Sequence, residues 1–417
     1  MSATIGHELA RGAPRPAGHS QGSRPLRIAL AGCGTVGAAL AARVSAGVLA
    51  GERRMEVVKV LVRESTRARA VSFRPGVLTD SLAAFLTAPA DVVVEALGGI
   101  EPARTLIAAA LVQGKRVVTA NKALVAAEGA ALAQLARRFG GTLDFEGAVG
   151  GGVPVVRVLR AGVAGIGVTE VRGVLNGTAN FVLDRVAAGG QSLDAIREAQ
   201  SLGFAEADPA RDLDGRDAAD KLAILAWLAF GVAPHMLPVS RRPLDDALAL
   251  AVVARGHAAH AVQLAEVVST GYGLVARVEP ALIGAGHDLA RATAECNAVT
   301  VQSASAGTML FAGRGAGGEP TAGALIGDLG ATSTPLPSPR AVLVASHDER
   351  VLRWVLWGPS AVTLRGQIAR ATPDVELMLD DADSPLVGVS ATSAVAVELR
   401  EALRRTGVEV ALARDLR

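Results

Sequence analysis

The chain has 417 residues, which is too long for one ordinary domain and predicts two or three. Half of the residues are hydrophobic but only 3% are aromatic, so the cores must be built from small aliphatic side chains. A net charge of +2, with one Tyr and three Trp, supplies neither the basic surface nor the stacking side chains of a nucleic-acid-binding protein. We therefore predict no nucleic-acid partner.

The cysteine content and the hydropathy pattern point to a reducing compartment without membrane segments. Cys33 and Cys296 form no CxxC pair, which is typical of cytoplasmic proteins. The most apolar run, 222–234, is shorter than the roughly 18 to 20 residues that span a bilayer, so we expect a buried helix and no membrane partner. Residues 1–24 are rich in Gly, Pro, Ser and Arg and lack an apolar core, which predicts a disordered leader rather than a signal peptide.

Residues 25–150 alternate short apolar strands with Ala-rich helices. The helices fill the intervals between predicted strands at 26–32, 55–62, 91–99, 116–121 and 142–147. Such alternation is typical of βαβ units around a parallel sheet. The predicted fold class is α/β, with a doubly wound, Rossmann-type dinucleotide-binding domain first in the chain.

A glycine-rich turn joins the first predicted strand to the first helix. Gly32, Gly34 and Gly37 form the pattern GxGxxG, in which the glycines permit the turn, the approach of a pyrophosphate and close helix packing. Thr35 and Val36 would offer backbone N–H groups to the anion at the start of the helix. The pattern predicts a dinucleotide cofactor.

The residue after the second strand indicates which dinucleotide is bound. An acid that holds the adenosine ribose ordinarily stands there, but this chain has Arg63 followed by Glu64. A guanidinium can accept a 2′-phosphate, whereas Glu64 can still serve a ribose hydroxyl. We favour NADP and leave NAD possible; the alternative for Arg63 is a solvated surface charge.

The chain changes character after a run of three glycines at 150–152. Residues 151–304 mix long helices with a few strands and predict a second, α+β domain. A Pro- and Ser-rich stretch at 331–340 predicts a linker. Residues 341–417 then follow the order strand, strand or helix, strand, strand, helix, strand, which predicts a small βαββαβ module.

Residues 203–225 contain an acidic loop followed by a helix. Asp217 and Lys221 stand four residues apart and so share one helix face, beside a loop that carries Glu206 and Asp208. Taken alone, such a pair is ordinarily a surface ion pair. A catalytic interpretation therefore needs support from the rest of the chain.

Seven blocks, in a fixed order over about 26–330, together resemble homoserine dehydrogenase. They are AGCGTVG, VVVEALGG, VVTANKALVA, EGAVGGGVPVV, GVLNGTANFVL, LGFAEADPARDLDGRDAADKLAILA and FAGRGAGGEPTAGALIGDL. The resemblance implies NAD(P)-dependent interconversion of L-homoserine and L-aspartate 4-semialdehyde in threonine, methionine and isoleucine biosynthesis. It also implies a homodimer or higher homo-oligomer whose second domain is catalytic and dimerising. The alternatives are an oxidoreductase that acts on a related amino-acid semialdehyde and a non-catalytic regulatory relative.

The resemblance assigns roles to the charged residues. Asp217 and Lys221 match the catalytic aspartate and lysine of the family, Lys122 lies by the nicotinamide and substrate, and Glu206 holds the substrate amino group. Reduction of an aldehyde develops negative charge on its oxygen, which a lysine can neutralise by donating a proton. Either Lys221 or Lys122 can be that donor, and the sequence does not separate them.

Two further segments complete the predicted site. Asn176 and Thr178, in the block NGTAN, line the substrate pocket or cap a helix. Gly315 and Gly317 bring the backbone back near the cofactor, because in this family the segment at about 305–330 completes the first domain.

The glycine-rich break also resembles the monovalent cation site of the family. The carboxylate of Glu146 would hold sodium together with the backbone carbonyls of Val149, Gly151 and Val153. Oxygen ligands suit a weakly bound hard cation, and an ion-free turn between domains is the alternative. His257 and His260 lack a third ligand at metal spacing and are predicted to lie on a helix surface.

Two segments depart from the family pattern. At 240–264, Arg242, Pro243 and Gln263 stand where a Glu-Gly-Ile turn and a later lysine are expected, so the substrate pocket or the dimer contacts differ there. The last module has the length and order of an ACT regulatory module but lacks its Asp-x-Pro-Gly-Val turn, with WGPSAV at 357–362 instead. We describe it as a degenerate ACT-like module, which argues against feedback binding of threonine.

Overall fold

A computed structural model describes residues 24–202, 209–256, 259–345, 348–358, 360–371, 375–378, 386–406, 408 and 410–416. The predicted leader, apart from Arg24, lies outside these residues, and so do Glu206, Asp208 and His257. Within the described part of the chain, every helix is too short or too polar to cross a membrane.

The first domain contains the predicted parallel sheet with helices on both faces. Its strands, in the spatial order β3-β2-β1-β4-β5-β6, are β1 (Leu26–Ala31), β2 (Met55–Leu61), β3 (Leu78–Thr79), β4 (Val92–Glu95), β5 (Arg116–Thr119) and β6 (Thr142–Asp144). Its helices are α1 (Thr35–Ser45), α2 (Leu82–Leu86), α3 (Ala103–Val112) and α4 (Lys122–Phe139). The strand order reverses direction at β1, and in such sheets ligands bind at the carboxyl edge beside that point. The doubly wound fold is confirmed.

The second domain packs helices on a mixed sheet. Its strands, in the order β12-β11-β7-β9-β10 with β8 beside β10, are β7 (Val168–Val174), β8 (Ser240–Arg241), β9 (Ala259–Thr270), β10 (Gly273–Gly284), β11 (Cys296–Ser303) and β12 (Gly307–Arg314). Its helices are α5 (Val155–Arg160), α6 (Gly177–Ala187), α7 (Ser192–Ser201), α8 (Ala210–Leu213), α9 (Arg216–Phe230) and α10 (Asp245–Gly256). The helical placement predicted for His260 is wrong. Residue 260 lies in β9, which pairs with β10 along its whole length because the run AHAVQLAEVV buries both faces.

The chain then returns to the first domain through α11 (Gly318–Gly330). Leu325 and Leu329 of α11 pack in one core with Ile28 and Leu30 of β1. The opposite face of the sheet packs against α3 and α4 in a core that continues into α9. Because α9 lies between the two domains, it ends up buried along most of its length. This helix contains residues 222–230 of the apolar run 222–234, and it stops before Gly231, whose φ is +79°.

The last residues form a module that continues the second sheet. Its elements are β13 (Leu352–Trp357), α12 (Ala361–Ala371), β14 (Glu376–Met378), β15 (Leu386–Ala391), α13 (Ser393–Arg405) and β16 (Ala411–Leu416), with strand order β16-β13-β15-β14. The predicted βαββαβ order is present, and β16 pairs in parallel with β10. Residues 341–345, the described part of the strand predicted at 341–346, do not form that strand, because among them only Val344 bridges, to Leu274. The identification of the module as ACT-like stays a prediction.

Candidate active site

The glycine turn is tightly packed at Gly32 and Gly37 and open at Gly34. Gly32 has φ +93°, and a side chain there would lie 2.5 Å from the carbonyl oxygen of Ala96. A Cβ at Gly37 would overlap the carbonyl oxygen of Gly32, so this glycine lets α1 pack on the turn. A Cβ at Gly34 would meet nothing within 4 Å. The open space at Gly34 faces the start of α1, where N–H groups and the helix dipole favour an anion.

A cleft of about 840 Å³ opens from this turn. Gly32, Gly34 and Thr35 line one wall, and the segment after β2 lines the other with Arg63, Glu64, Arg67 and Arg69. The structure therefore brings Arg63 to the cleft together with two arginines that the sequence patterns did not single out. Three guanidinium groups make this wall suited to a ligand with several phosphates.

The ends of β4 and β5 are joined by a buried carboxylate. Glu95 accepts hydrogen bonds from the backbone N–H of Leu97 at 2.8 Å and from the hydroxyl of Thr119. Asn121 caps α4 by accepting from the backbone N–H of Leu124, and its amide donates to Gly99 O at 2.6 Å. These contacts fix the start of α4, where Lys122 stands. Glu95 was not predicted, although an acid that ends an apolar strand at this edge is a usable signal.

The centre of the site is an aspartate between two lysines. Lys122 Nζ lies 2.5 Å from Asp217 Oδ1, and Lys221 Nζ lies 2.7 Å from Asp217 Oδ2. Asp217 and Lys221 are only 2% and 7% exposed, which rules out a surface ion pair. Lys122 comes from the first domain and the other two residues come from α9. The site therefore lies where the two domains meet, at the carboxyl edge of the parallel sheet.

Burial and charge act on this cluster in opposite directions. Burial alone would raise the pKa of Asp217, but the ammonium groups of Lys221 and Lys122 outweigh it and hold that pKa well below its usual range. Burial lowers the pKa of Lys221, and the charge of Asp217 only partly offsets this. Lys221 also donates to Leu175 O at 2.7 Å. Since an ammonium has three N–H donors, one remains for a substrate oxygen.

Asn176 connects this cluster to the acidic segment before α9. Its side-chain oxygen caps α6 by accepting from Ala179 N at 2.7 Å. Its amide donates to Asp217 Oδ2 at 2.9 Å and to Asp212 Oδ1 at 2.8 Å. Asn176 is thus both a helix cap and part of the site, and Thr178 is buried in the first turn of the same helix.

Asp212 is a candidate that the sequence patterns missed. Its pKa is raised by burial and then by the charge of Asp217. Its place in α8, five residues before Asp217, gave no helix-face signal because a turn separates α8 from α9. Gln263 of β9 donates to Asp212 O at 3.2 Å, and its own side-chain oxygen has no hydrogen-bond partner among the described residues. The segment 240–264, which departs from the family pattern, therefore contacts the site through Gln263 and Asp212.

The predicted cation loop surrounds a short 3₁₀ helix, Glu146–Ala148. The Glu146 carboxylate accepts from Val156 N at 3.1 Å and from Arg157 N at 2.7 Å. Burial, and then the charge of Asp328, raises the pKa of Glu146 to about 7. Val149 and Val153 are buried beside it. Within the described residues no three His, Cys, Asp or Glu side chains are arranged to hold a metal ion, so any cation here would depend on backbone carbonyls.

Gly315 and Gly317 lie next to this loop. A Cβ at Gly151 would lie 2.7 Å from Gly315 O, and a Cβ at Gly315 would overlap the side chain of Asn297. Asn297 donates to Leu175 O at 3.1 Å, the same carbonyl that Lys221 binds. Gly317 precedes α11 with φ +107°. The structure places both glycines at the contact between domains, and their role in cofactor binding stays a prediction.

Comparisons with known proteins agree with one another. Family models described as "Homoserine dehydrogenase, NAD binding domain" and "Homoserine dehydrogenase" match residues 32–146 and 154–329. A homoserine dehydrogenase of Synechocystis is 37% identical over an alignment of 313 residues that covers 73% of this chain and 72% of that protein. The crystal structure of a homoserine dehydrogenase from Thiobacillus denitrificans superposes with a TM-score of 0.79 at 29% identity, covering 94% of this chain and 98% of that one. The structure of a hyperthermophilic archaeal homoserine dehydrogenase in complex with NADPH superposes with a TM-score of 0.61 at 25% identity. The superposition covers 73% of this chain and 97% of that one.

Proposed function

The chain belongs to the homoserine dehydrogenase family, and from this membership we propose how its residues interconvert L-homoserine and L-aspartate 4-semialdehyde. The protein is an oxidoreductase with a nicotinamide cofactor. The observation that carries the proposed mechanism is the ion-paired cluster of Lys122, Asp217 and Lys221, assembled from both domains. Neither a related semialdehyde as substrate nor a non-catalytic role is favoured by these similarities.

We propose that NADP is the preferred cofactor. The glycine turn suits a pyrophosphate, and Arg63 stands on the facing wall of the cleft, where an adenosine 2′-phosphate would lie. When bound, the nicotinamide exchanges a hydride with the carbon that carries the reacting oxygen. The cofactor of the similar archaeal structure is NADPH, which supports this choice.

We propose Lys221 as the proton donor to the substrate oxygen during reduction. Its burial lowers its pKa, which brings the ammonium closer to the range in which a general acid works. Its bonds to Asp217 and Leu175 O fix the direction of the remaining N–H. In the reverse reaction, the neutral amine would take the proton of the homoserine hydroxyl.

Asp217 and Lys122 position this donor. Asp217 holds Lys221 on one oxygen and Lys122 on the other, so that one carboxylate carries two cations. The side chain of Lys122 is 42% exposed at the edge of the sheet, and it brings positive charge to the site from the first domain. The role of Lys122 is to link the first domain to Asp217 of the second and to stabilise the negative charge that develops on the substrate oxygen.

The acidic residues before α9 suit the amino group of the substrate. Glu206 is assigned to that group by family resemblance, and Asp212 adds a second carboxylate held by Asn176. Thr178 and Asn176 would form the neighbouring wall. A cationic amino group recognised by two carboxylates distinguishes an amino-acid semialdehyde from a plain aldehyde.

One assay tests the proposed activity and the cofactor preference. The purified protein, mixed with L-homoserine and NADP or NAD, should reduce the cofactor and produce absorbance at the nicotinamide band. We expect a higher kcat/KM with NADP. A lack of turnover with either cofactor, in sodium and in potassium buffers, would contradict the proposed function.

Two further features are proposed from family resemblance. Sodium would bind at Glu146 with the carbonyls of Val149, Gly151 and Val153, where the close approach of Gly151 to Gly315 supports a tight loop. The protein would act as a homodimer in the cytoplasm. Sedimentation velocity over a range of concentrations measures the oligomeric state directly, and a monomer at all of them would contradict the dimer.

A further inference from the structure

The wall of the cofactor cleft that faces the glycine turn contains an arginine in an unusual position. Arg69 is half-buried, whereas Arg63 and Arg67 on the same segment are exposed. Its Nη1 donates to Arg67 O and its Nη2 donates to Glu64 O, both at 2.5 Å. The guanidinium is therefore fixed to the backbone of its own loop instead of extending into solvent.

The charge of this fixed guanidinium acts on the glycine turn. Burial raises the pKa of the Cys33 thiol, and Arg69 is the positive charge that partly offsets the rise. Cys33 stands between Gly32 and Gly34, next to the open space where a Cβ of Gly34 would meet nothing. Arg69 thus lies across the cleft from the place where the turn would receive a phosphate.

We propose that Arg69 binds the pyrophosphate of the cofactor from the side opposite the glycine turn, whereas Arg63 binds the adenosine 2′-phosphate. A guanidinium has five N–H donors, and the two carbonyls of the loop use two of them. The remaining donors suit a second, bidentate contact to phosphate oxygens. The inference rests on the proposed placement of the cofactor in this cleft and divides the arginines between two phosphates.

Because Arg69 is held in place before the cofactor arrives, little side-chain entropy is lost when it binds. Because it would bind a group that NADP and NAD share, it should strengthen both cofactors equally. Arg63 makes no comparable hydrogen bonds within the described residues, and it would act only on the cofactor that carries the extra phosphate. Total affinity and cofactor preference would then be controlled by different residues of one loop.

Calorimetric titration of the full-length protein separates the two roles. The probes are NADP, NAD, ADP, which has the pyrophosphate alone, and adenosine 2′-monophosphate, which has the other phosphate alone. Arg69→Gln should weaken NADP, NAD and ADP each by about tenfold to a hundredfold, as expected for a lost charge-assisted contact, and leave adenosine 2′-monophosphate unchanged. Arg63→Gln should weaken only NADP and adenosine 2′-monophosphate.

Arg138→Gln, at the far end of α4, is the matched control and should change none of these affinities. An intact affinity of Arg69→Gln for adenosine 2′-monophosphate shows that its loop has not collapsed. Unchanged binding of ADP, or a loss confined to the two 2′-phosphate probes, would overturn the role of Arg69. A wild-type protein that binds no probe would overturn the cofactor placement as well.

A chemical readout tests the same geometry without cofactor. In a Cys296→Ser background, iodoacetamide alkylates Cys33, and ADP should protect it. Arg69→Gln should slow this alkylation at neutral pH, because the thiolate loses a stabilising charge. An unchanged rate across the pH profile would place Arg69 away from the turn and contradict the proposal.

Discussion

The residue that organises this site is Asp217, which is buried yet fully ionised because two lysines share it. A buried carboxylate without a partner would take up a proton, whereas here the two ammonium groups stabilise the charged form. The cost of burying the charges of Asp217 and Lys221 is partly offset by hydrogen bonds from Asn176 and to Leu175 O. The same contacts leave one N–H of Lys221 for the substrate.

Single-turnover reduction of aspartate 4-semialdehyde distinguishes the two lysines. If Lys221 donates the proton, Lys221→Ala should slow hydride transfer by about 10²- to 10⁴-fold and abolish the alkaline limb of the pH–rate profile. The alkaline limb is expected because Lys221 loses its proton as the pH rises through its pKa, and the neutral amine cannot act as the acid. Lys122→Ala should reduce the rate but keep the limb. A limb that vanishes only in Lys122→Ala would transfer the donor role to Lys122.

The sequence identified most of the charged residues of this cluster but not the side-chain contacts that connect them to their neighbours. Asp217, Lys221 and Lys122 were predicted as site residues, and the structure brings them into one cluster. Glu95 and Asp212 were missed, because their roles depend on contacts with Thr119 and Asn176 that no local spacing encodes. Resemblance supplied the roles, and physical spacing alone supported only an ion pair.

Hydrophobic periodicity predicted the strands and helices of the first domain well and those of the second domain poorly. Parallel strands buried on both faces appear as short apolar runs between glycine turns, which are easy to recognise. The long strand β9 has buried residues on both faces and no clean alternation, so its start was mistaken for a helix. Residues 341–345 include apolar side chains but make only one bridge, at Val344, because they run past the end of the β9–β10 hairpin.

The loop after β6, which contains Glu146, should bind sodium. If the Glu146 loop binds sodium, replacing potassium or choline by sodium at equal ionic strength should raise Tm, because a ligand bound only by the native state stabilises it. Glu146→Gln removes the charged ligand and should lose this sodium-specific gain while keeping the general effect of salt. Equal melting curves in the three salts would contradict a sodium site in this loop.

At the scale of the whole molecule, the second domain and the last module form one structural unit. Their strands make a continuous sheet through the pairing of β10 with β16. A network of buried ion pairs also joins the two parts. In it, Glu266 of β9 accepts from Arg277 of β10 at 2.9 Å and from Arg350 at 3.0 Å. Arg277 also binds Asp348 and donates to Ser393 Oγ at 2.7 Å, at the start of α13.

Arg277 is therefore one of the residues that attach the last module to the second domain. Arg277→Ala would remove one buried partner of Glu266 and of Asp348, but Arg350 would still bind both carboxylates. We therefore expect a loss of about 1.5 to 3 kcal/mol, as for a hydrogen bond to a charged group, and less than for a buried charge left unpaired. We expect the urea midpoint to fall accordingly. The control Arg197→Ala removes a pair with Asp194 whose side chains are 74% and 70% exposed, and should cost less than about 1 kcal/mol. Equal losses in the two variants would show that the network does not hold the module in place.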